Sequence, residues 1–69
     1  MEKNDLGLSK KNLSKLDEIE DQILDLDSLD DRMNFVDELV IWTEFPDDVS
    51  TETEDEVKDY LKEFVMETL

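Results

Sequence analysis

The sequence contains no cysteine and no histidine. Nucleophilic thiol chemistry, imidazole acid–base catalysis and the usual ligand sets for zinc, copper or haem are therefore excluded. With 69 residues the chain makes one domain at most, and neither a disulfide nor a zinc site staples its thin core. The absence of cysteine fits a reducing compartment. Alanine is also absent, and Gly7, Pro46 and Arg32 are the only residues of their kinds. These four residue types use GC-rich codons, so their scarcity points to an AT-rich genome of the sort common in phages and small mobile elements. No apolar run approaches the roughly 20 residues needed to cross a bilayer. The opening Met-Glu-Lys-Asn-Asp has no apolar signal region, so a cytoplasmic protein is expected, in the host cell if a phage encodes it.

Positive charge is scarce and unevenly placed. There are 22 acidic residues against 7 basic ones, a net charge of −15. Residues 17–56 hold 17 acids with Arg32 as the sole cation, a charge of −16, whereas residues 1–16 carry +2 and residues 57–69 carry −1. A field this one-sided acts on partners more than on fold. It repels nucleic acid and anionic membrane and attracts basic surfaces. Charge of this order drives many chains to disorder, but 38% of these residues are hydrophobic and they recur periodically. A folded domain is expected, with its acids outside.

The periodicity predicts an all-α fold, a small antiparallel three-helix bundle over residues 9–69, with residues 1–8 as a flexible tail. Helix one is expected over about 9–26. Leu13, Leu16, Ile19 and Ile23 share its inner face, with Ser9 or Ser14 as cap. Ser28 followed by Asp31 reads as a capping box, which opens helix two at residue 28. One continuous helix over 9–44 is the alternative, since no glycine or proline interrupts that stretch. Helix two is expected to reach residue 44, with Leu29, Met33, Val36, Leu39, Val40 and Thr43 inside and Ile41 nearly opposite the stripe that carries Phe35 and Trp42. Pro46 ends it. Helix three is expected over 51–69, capped by Ser50 or Thr51. Val57, Tyr60, Leu61, Phe64 and Thr68 face inward, and Lys58 and Lys62 lie within reach of Glu54 and Asp59.

Several acids fall at helical spacing. Asp17, Asp21 and Asp25 form a row at i, i+4, where carboxylates stand about 5–6 Å apart. That spacing is close to the separation of neighbouring phosphates along a nucleic-acid strand. Asp27, Asp30, Asp31, Asp37, Glu38 and Glu44 extend the set over helix two and the turn, and Asp47, Asp48, Glu52, Glu54, Asp55 and Glu56 continue it at the next loop. The pattern suits mimicry of nucleic acid: a basic nucleic-acid-binding protein is the expected partner, and an inhibitor, anti-defence protein or antitoxin the expected role. The plain alternative is a solvated face, but such faces interleave both signs. Phe35 and Trp42 have two readings as well. They fill gaps between helices, or they anchor a partner or a second copy as an acidic interaction module.

Catalysis is not expected. Paired carboxylates alone would lie on open helix faces without a pocket to perturb them. The run Asp-Leu-Asp-Ser-Leu-Asp-Asp at 25–31 fails as a calcium loop: Leu29 falls at position five, Asp30 at the obligatory glycine and Val36 at the closing acid. No metal or other cofactor is expected.

Leu24-Asp25-Leu26-Asp27-Ser28-Leu29-Asp30 resembles the serine motif of acyl carrier proteins, which are acidic, helical and of similar length. Thr43 through Asp48 looks like the loop after that family's second helix, Trp42 lies where it has an aromatic residue, and Thr53 through Leu61 looks like its last helix. The resemblance implies a phosphopantetheine arm on Ser28 and acids on helix two that dock basic partner enzymes. This sequence departs from the pattern at Asp25, where the family usually has glycine, and in lacking the family's long loop before the serine. As a bare residue type, Ser28 reads as a helix cap.

Overall fold

The computed structural model describes residues 3–68 and is all-helical over them. A 3-10 turn (Lys3–Leu6) is followed by α1 (Lys10–Leu24), α2 (Leu29–Glu38), α3 (Ile41–Glu44) and α4 (Thr51–Glu67). No β-strand occurs among the described residues.

The helix starts follow the serines. Ser9, Ser28 and Ser50 each sit in extended backbone, and each Oγ accepts the backbone N–H three residues on, from Asn12, Asp31 and Thr53 at 3.1–3.2 Å. This side-chain acceptor satisfies one of the orphan N–H groups at a helix start. Ser9 rather than Ser14 therefore caps α1, and Ser50 rather than Thr51 caps α4. Asp30 and Asp31 in the first turn of α2, and Glu52 and Glu54 in that of α4, suit the positive end of the helix dipole. The Ser28 cap lies between α1 and α2, which are separate helices, so the single helix over 9–44 does not form.

The core is one apolar cluster. Leu16, Ile19 and Ile23 of α1, Val36 of α2, Ile41 of α3 and Val57, Leu61 and Val65 of α4 are essentially fully buried. Leu6, Leu39 and Phe45 complete it. Helix α4 lies at the centre and packs against each of the other four elements.

The stretch expected as the second half of helix two departs from a continuous helix. Helix α2 stops at Glu38, Leu39 and Val40 run extended, and one further turn forms at Ile41–Glu44. The physical reason is burial. On an unbroken helix of about 100° per residue, Ile41 and Phe45 would stand roughly 140° and 180° away from Val36. The two extended residues turn Leu39, Ile41 and Phe45 into the core together. Of the two extended residues, the β-branched Val40 tolerates extended backbone well. As a consequence Val40, Thr43 and Trp42 face solvent, and Leu29 is also exposed, so three of the six residues expected on that inner face lie outside.

Two further expectations change. Within residues 1–8, expected as a loose tail, Lys3–Leu6 form a 3-10 turn whose Leu6 is buried against the core, while Met1 and Glu2 lie outside the described residues. Gly7 makes the reversal into α1 with φ of +71°, a left-handed conformation that glycine adopts without steric cost. Lys58 and Lys62 do not pair along their own helix with Glu54 and Asp59. They reach across to α2, where Lys58 Nζ donates to the Asp37 carbonyl at 3.5 Å and Lys62 Nζ lies 3.6 Å from its carboxylate.

Other cross-links tie the ends of the elements. Arg32, at the start of α2, donates from Nε to the Leu26 carbonyl (2.9 Å) and from its two terminal nitrogens to the Leu24 carbonyl (3.4 Å) and Thr68 Oγ1 (3.1 Å). Midway along, the Tyr60 hydroxyl donates to Glu20 Oε1 at 3.2 Å. At the other end of α1, Asn12 and Asp47 bond reciprocally. Leu69, the last residue of the expected third helix, lies outside the described residues.

Candidate interaction surface

Apart from Asp37, Glu38 and Glu44, the acids read from the sequence fall into two groups pinned by these cross-links. Asp17 and Asp21 stand exposed along α1, Asp25 caps its C-terminus, Asp27 lies in the connection, and Asp30 and Asp31 open α2. The Arg32 bonds to Leu24 and Leu26 fix the latter members of this group at the C-terminal end of α1. Asp47 and Asp48 lie between α3 and α4, with Glu52, Glu54, Asp55 and Glu56 just after them on α4. The Asn12–Asp47 bonds fix this second group near the start of α1. Fifteen helical residues span about 22 Å; the first group runs from the middle of α1 past its C-terminal end and the second sits near its start, in a molecule measuring 30 × 22 × 19 Å. All these acids are exposed except Asp47 and Glu54, which are half-buried.

Asp47 also serves the fold. One of its carboxylate oxygens accepts from Ser9 Oγ at 2.5 Å while its backbone is held by Asn12. Ion pairs connect Lys15 with Glu18 and Glu44, each at 3.7 Å, and Lys62 with Asp37. Arg32 lies inside the acidic stretch, but its bonds go to two carbonyls and a hydroxyl.

The aromatic pair is divided by the α2–α3 break. Phe35 is half-buried and packs against the core, whereas Trp42 is 67% exposed and so does not fill a gap between helices. Phe35, Leu39 and Val40 line a shallow cleft of about 260 Å³, whose remaining walls are Glu38, Thr43 and Glu44. Of these, the sequence pointed to Phe35, Glu38 and Glu44. The cleft takes its shape at the break over residues 39–40, where no glycine or proline signals it.

Ser28 is exposed at the N-terminus of α2, with its Oγ accepting the Asp31 N–H. Among the described residues, no group of three or more acids is placed to hold a metal ion, and no helix is long and apolar enough to cross a membrane. No protein-family model matches the sequence, and comparison with curated proteins and with solved structures gives no significant match.

Proposed function

We propose that this chain is a small acidic binding protein that mimics nucleic acid, DNA in particular, and inhibits a basic nucleic-acid-binding protein. The observation that carries this reading is the use of Arg32. The one cation within residues 17–56 bonds backbone and hydroxyl oxygens, so that stretch has no cation of its own turned toward its carboxylates. Lysines from outside the stretch meet Glu18, Asp37 and Glu44, but with 17 acids in it the surface still stores self-repulsion, and a basic groove relieves it. Two acid groups, one running from the middle of α1 past its C-terminal end and one near its start, offer such a groove a spaced array, as phosphates do. Electrostatic complementarity of this kind speeds encounter and selects partners by charge.

The scaffold in this reading is an antiparallel bundle of α1, α2 and α4. Its support is the pairing of Arg32 at the start of α2 with Thr68 at the end of α4, and of Asp37 later in α2 with Lys58 and Lys62 earlier in α4. The protein acts by binding, without catalysis or cofactor, in a cytoplasm where a phage anti-defence protein or an antitoxin meets its target. Affinity capture from host lysate, with and without excess duplex DNA, tests it. Recovery of a basic nucleic-acid-binding protein that DNA displaces is the expected result. Recovery that DNA leaves untouched overturns the mimicry.

The second reading is a carrier protein with a phosphopantetheine arm on Ser28. It is favoured by one observation, the exposed Ser28 at the start of α2. Intact mass after incubation with a phosphopantetheinyl transferase decides it: no added mass removes the carrier reading.

A further inference from the structure

We infer that the cleft between α2 and α3, together with Trp42, next in the chain to its lining residue Thr43, is a docking site for an arginine-bearing apolar segment of a basic protein partner. It rests on the reading above only for the sign of the partner's charge. The cleft has an apolar floor in Phe35, Leu39 and Val40 and a carboxylate on Glu38 and on Glu44. Trp42 adjoins the lining residue Thr43 in the chain and is two-thirds exposed, and Val40 is 41% exposed. A volume of 260 Å³ lies below the ordinary range of small-molecule pockets, roughly 300–1,000 Å³. It suits individual side chains of a macromolecule.

The charge selects the occupant. A second copy would bring another net charge of −15 to the same place, and nucleic acid and anionic lipid carry the same sign. An arginine satisfies all parts of the site at once. Its aliphatic stem covers the floor, its guanidinium meets the carboxylates, and its plane stacks on an indole face. Glu44 already shares Lys15 at 3.7 Å, with both side chains partly exposed, so Glu38 supplies the stronger attraction. Leucines flanking the arginine cover Val40. A segment with both features gains from apolar burial that salt does not screen, unlike contacts to the acid rows.

The test uses the full chain and two peptides of equal charge, acetylated and amidated Leu-Arg-Ala-Leu-Arg and Ala-Arg-Ala-Ala-Arg, followed by amide shifts and by fluorescence of the single tryptophan. The leucine-bearing peptide is expected to shift residues 35–44 and the Trp42 indole. It should bind about tenfold more tightly than its alanine counterpart at roughly 0.1 M salt. Trp42→Ala and Glu38→Gln are each expected to weaken it several-fold. Equal affinity of the two peptides, or shifts confined to Asp17, Asp21, Asp30 and Asp31 with Trp42 unmoved, overturns the site. The outcome is separate from the mimicry test. Peptide docking at Trp42 with no DNA-displaceable target leaves the cleft standing and removes the mimic, whereas a DNA-displaceable target with no peptide docking does the reverse.

Discussion

Asn12 and Asp47, 35 residues apart, hold each other by two hydrogen bonds: the Asp47 N–H donates to Asn12 Oδ1 at 3.1 Å, and Asn12 Nδ2 donates to the Asp47 carbonyl at 3.5 Å. Asn12 is 2% exposed and is the one buried polar residue among those described. The pair joins the first turn of α1 to the loop after Pro46, and so sets where α4 begins. Asn12→Leu keeps much of the volume but leaves the Asp47 N–H without its partner. A loss of about 1–3 kcal/mol is expected, the usual cost of orphaning a buried polar group. A lower urea midpoint at unchanged slope is the measurement, and an unaltered midpoint would show that the loop holds without Asn12.

Arg32 ties the ends of α1 and α4 to the start of α2 through three hydrogen bonds. Lysine keeps the charge but lacks the planar fork, so it cannot reproduce bonds in three directions. Arg32→Lys is therefore expected to cost about 1–2 kcal/mol, as loss of charge-assisted hydrogen bonds at a half-buried site does. Because lysine keeps the charge, a Coulombic role for Arg32 amid the acids would leave stability nearly unchanged at both about 0.1 M and 1 M salt, whereas a hydrogen-bonding role gives a loss that persists at both. The second outcome is expected.

The break at residues 39–40 makes an unusual pair of neighbours. Ile41 is fully buried and Val40 is 41% exposed, the reverse of what a continuous amphipathic helix implies. Ile41→Ala is expected to cost about 2–4 kcal/mol, as for other buried large-to-small changes. Val40→Ala should stay within about 0.5 kcal/mol, as surface changes do. A large loss at Val40 with little at Ile41 would restore the unbroken helix.

That break marks the limit of what the sequence discloses. The three serine caps and the stripes Leu16–Ile19–Ile23 and Val57–Leu61 are local signals, written within a turn or two, and they survive in the fold. The end of α2 is not local. It depends on Leu39, Ile41 and Phe45 finding α1 and α4, and no residue type at 39 or 40 announces it. The burial of Leu6 is of the same kind, since a single leucine before Gly7 carries no periodicity. The acids were legible as exposed because charge excludes them from the core. Their separation into two groups was not, because it is set by Arg32 and by the Asn12–Asp47 bonds, both long-range. The cleft was half legible for a related reason: the sequence pointed to Phe35, Glu38 and Glu44, while the cleft takes its shape at the break.

Charge opposes the fold and serves the interaction, so salt should act on the two in opposite directions. A net charge of −15 on 69 residues destabilises the compact state by self-repulsion. Raising salt from about 0.01 M to 1 M shortens the screening length from roughly 30 Å to 3 Å, less than the distance between neighbouring carboxylates on a helix. The thermal midpoint is therefore expected to rise by several degrees over that range, and calorimetry at graded salt measures it. Capture of a basic partner should weaken steeply over the same range if the acid groups carry the binding. Asp21→Lys with Asp25→Lys should then cost more affinity than Trp42→Ala. Binding that resists salt and depends chiefly on Trp42 would instead assign the affinity to the cleft. A midpoint that does not respond to salt would mean that the carboxylates are neutralised in solution, by protons or bound cations, and that condition would undermine the mimicry at its source.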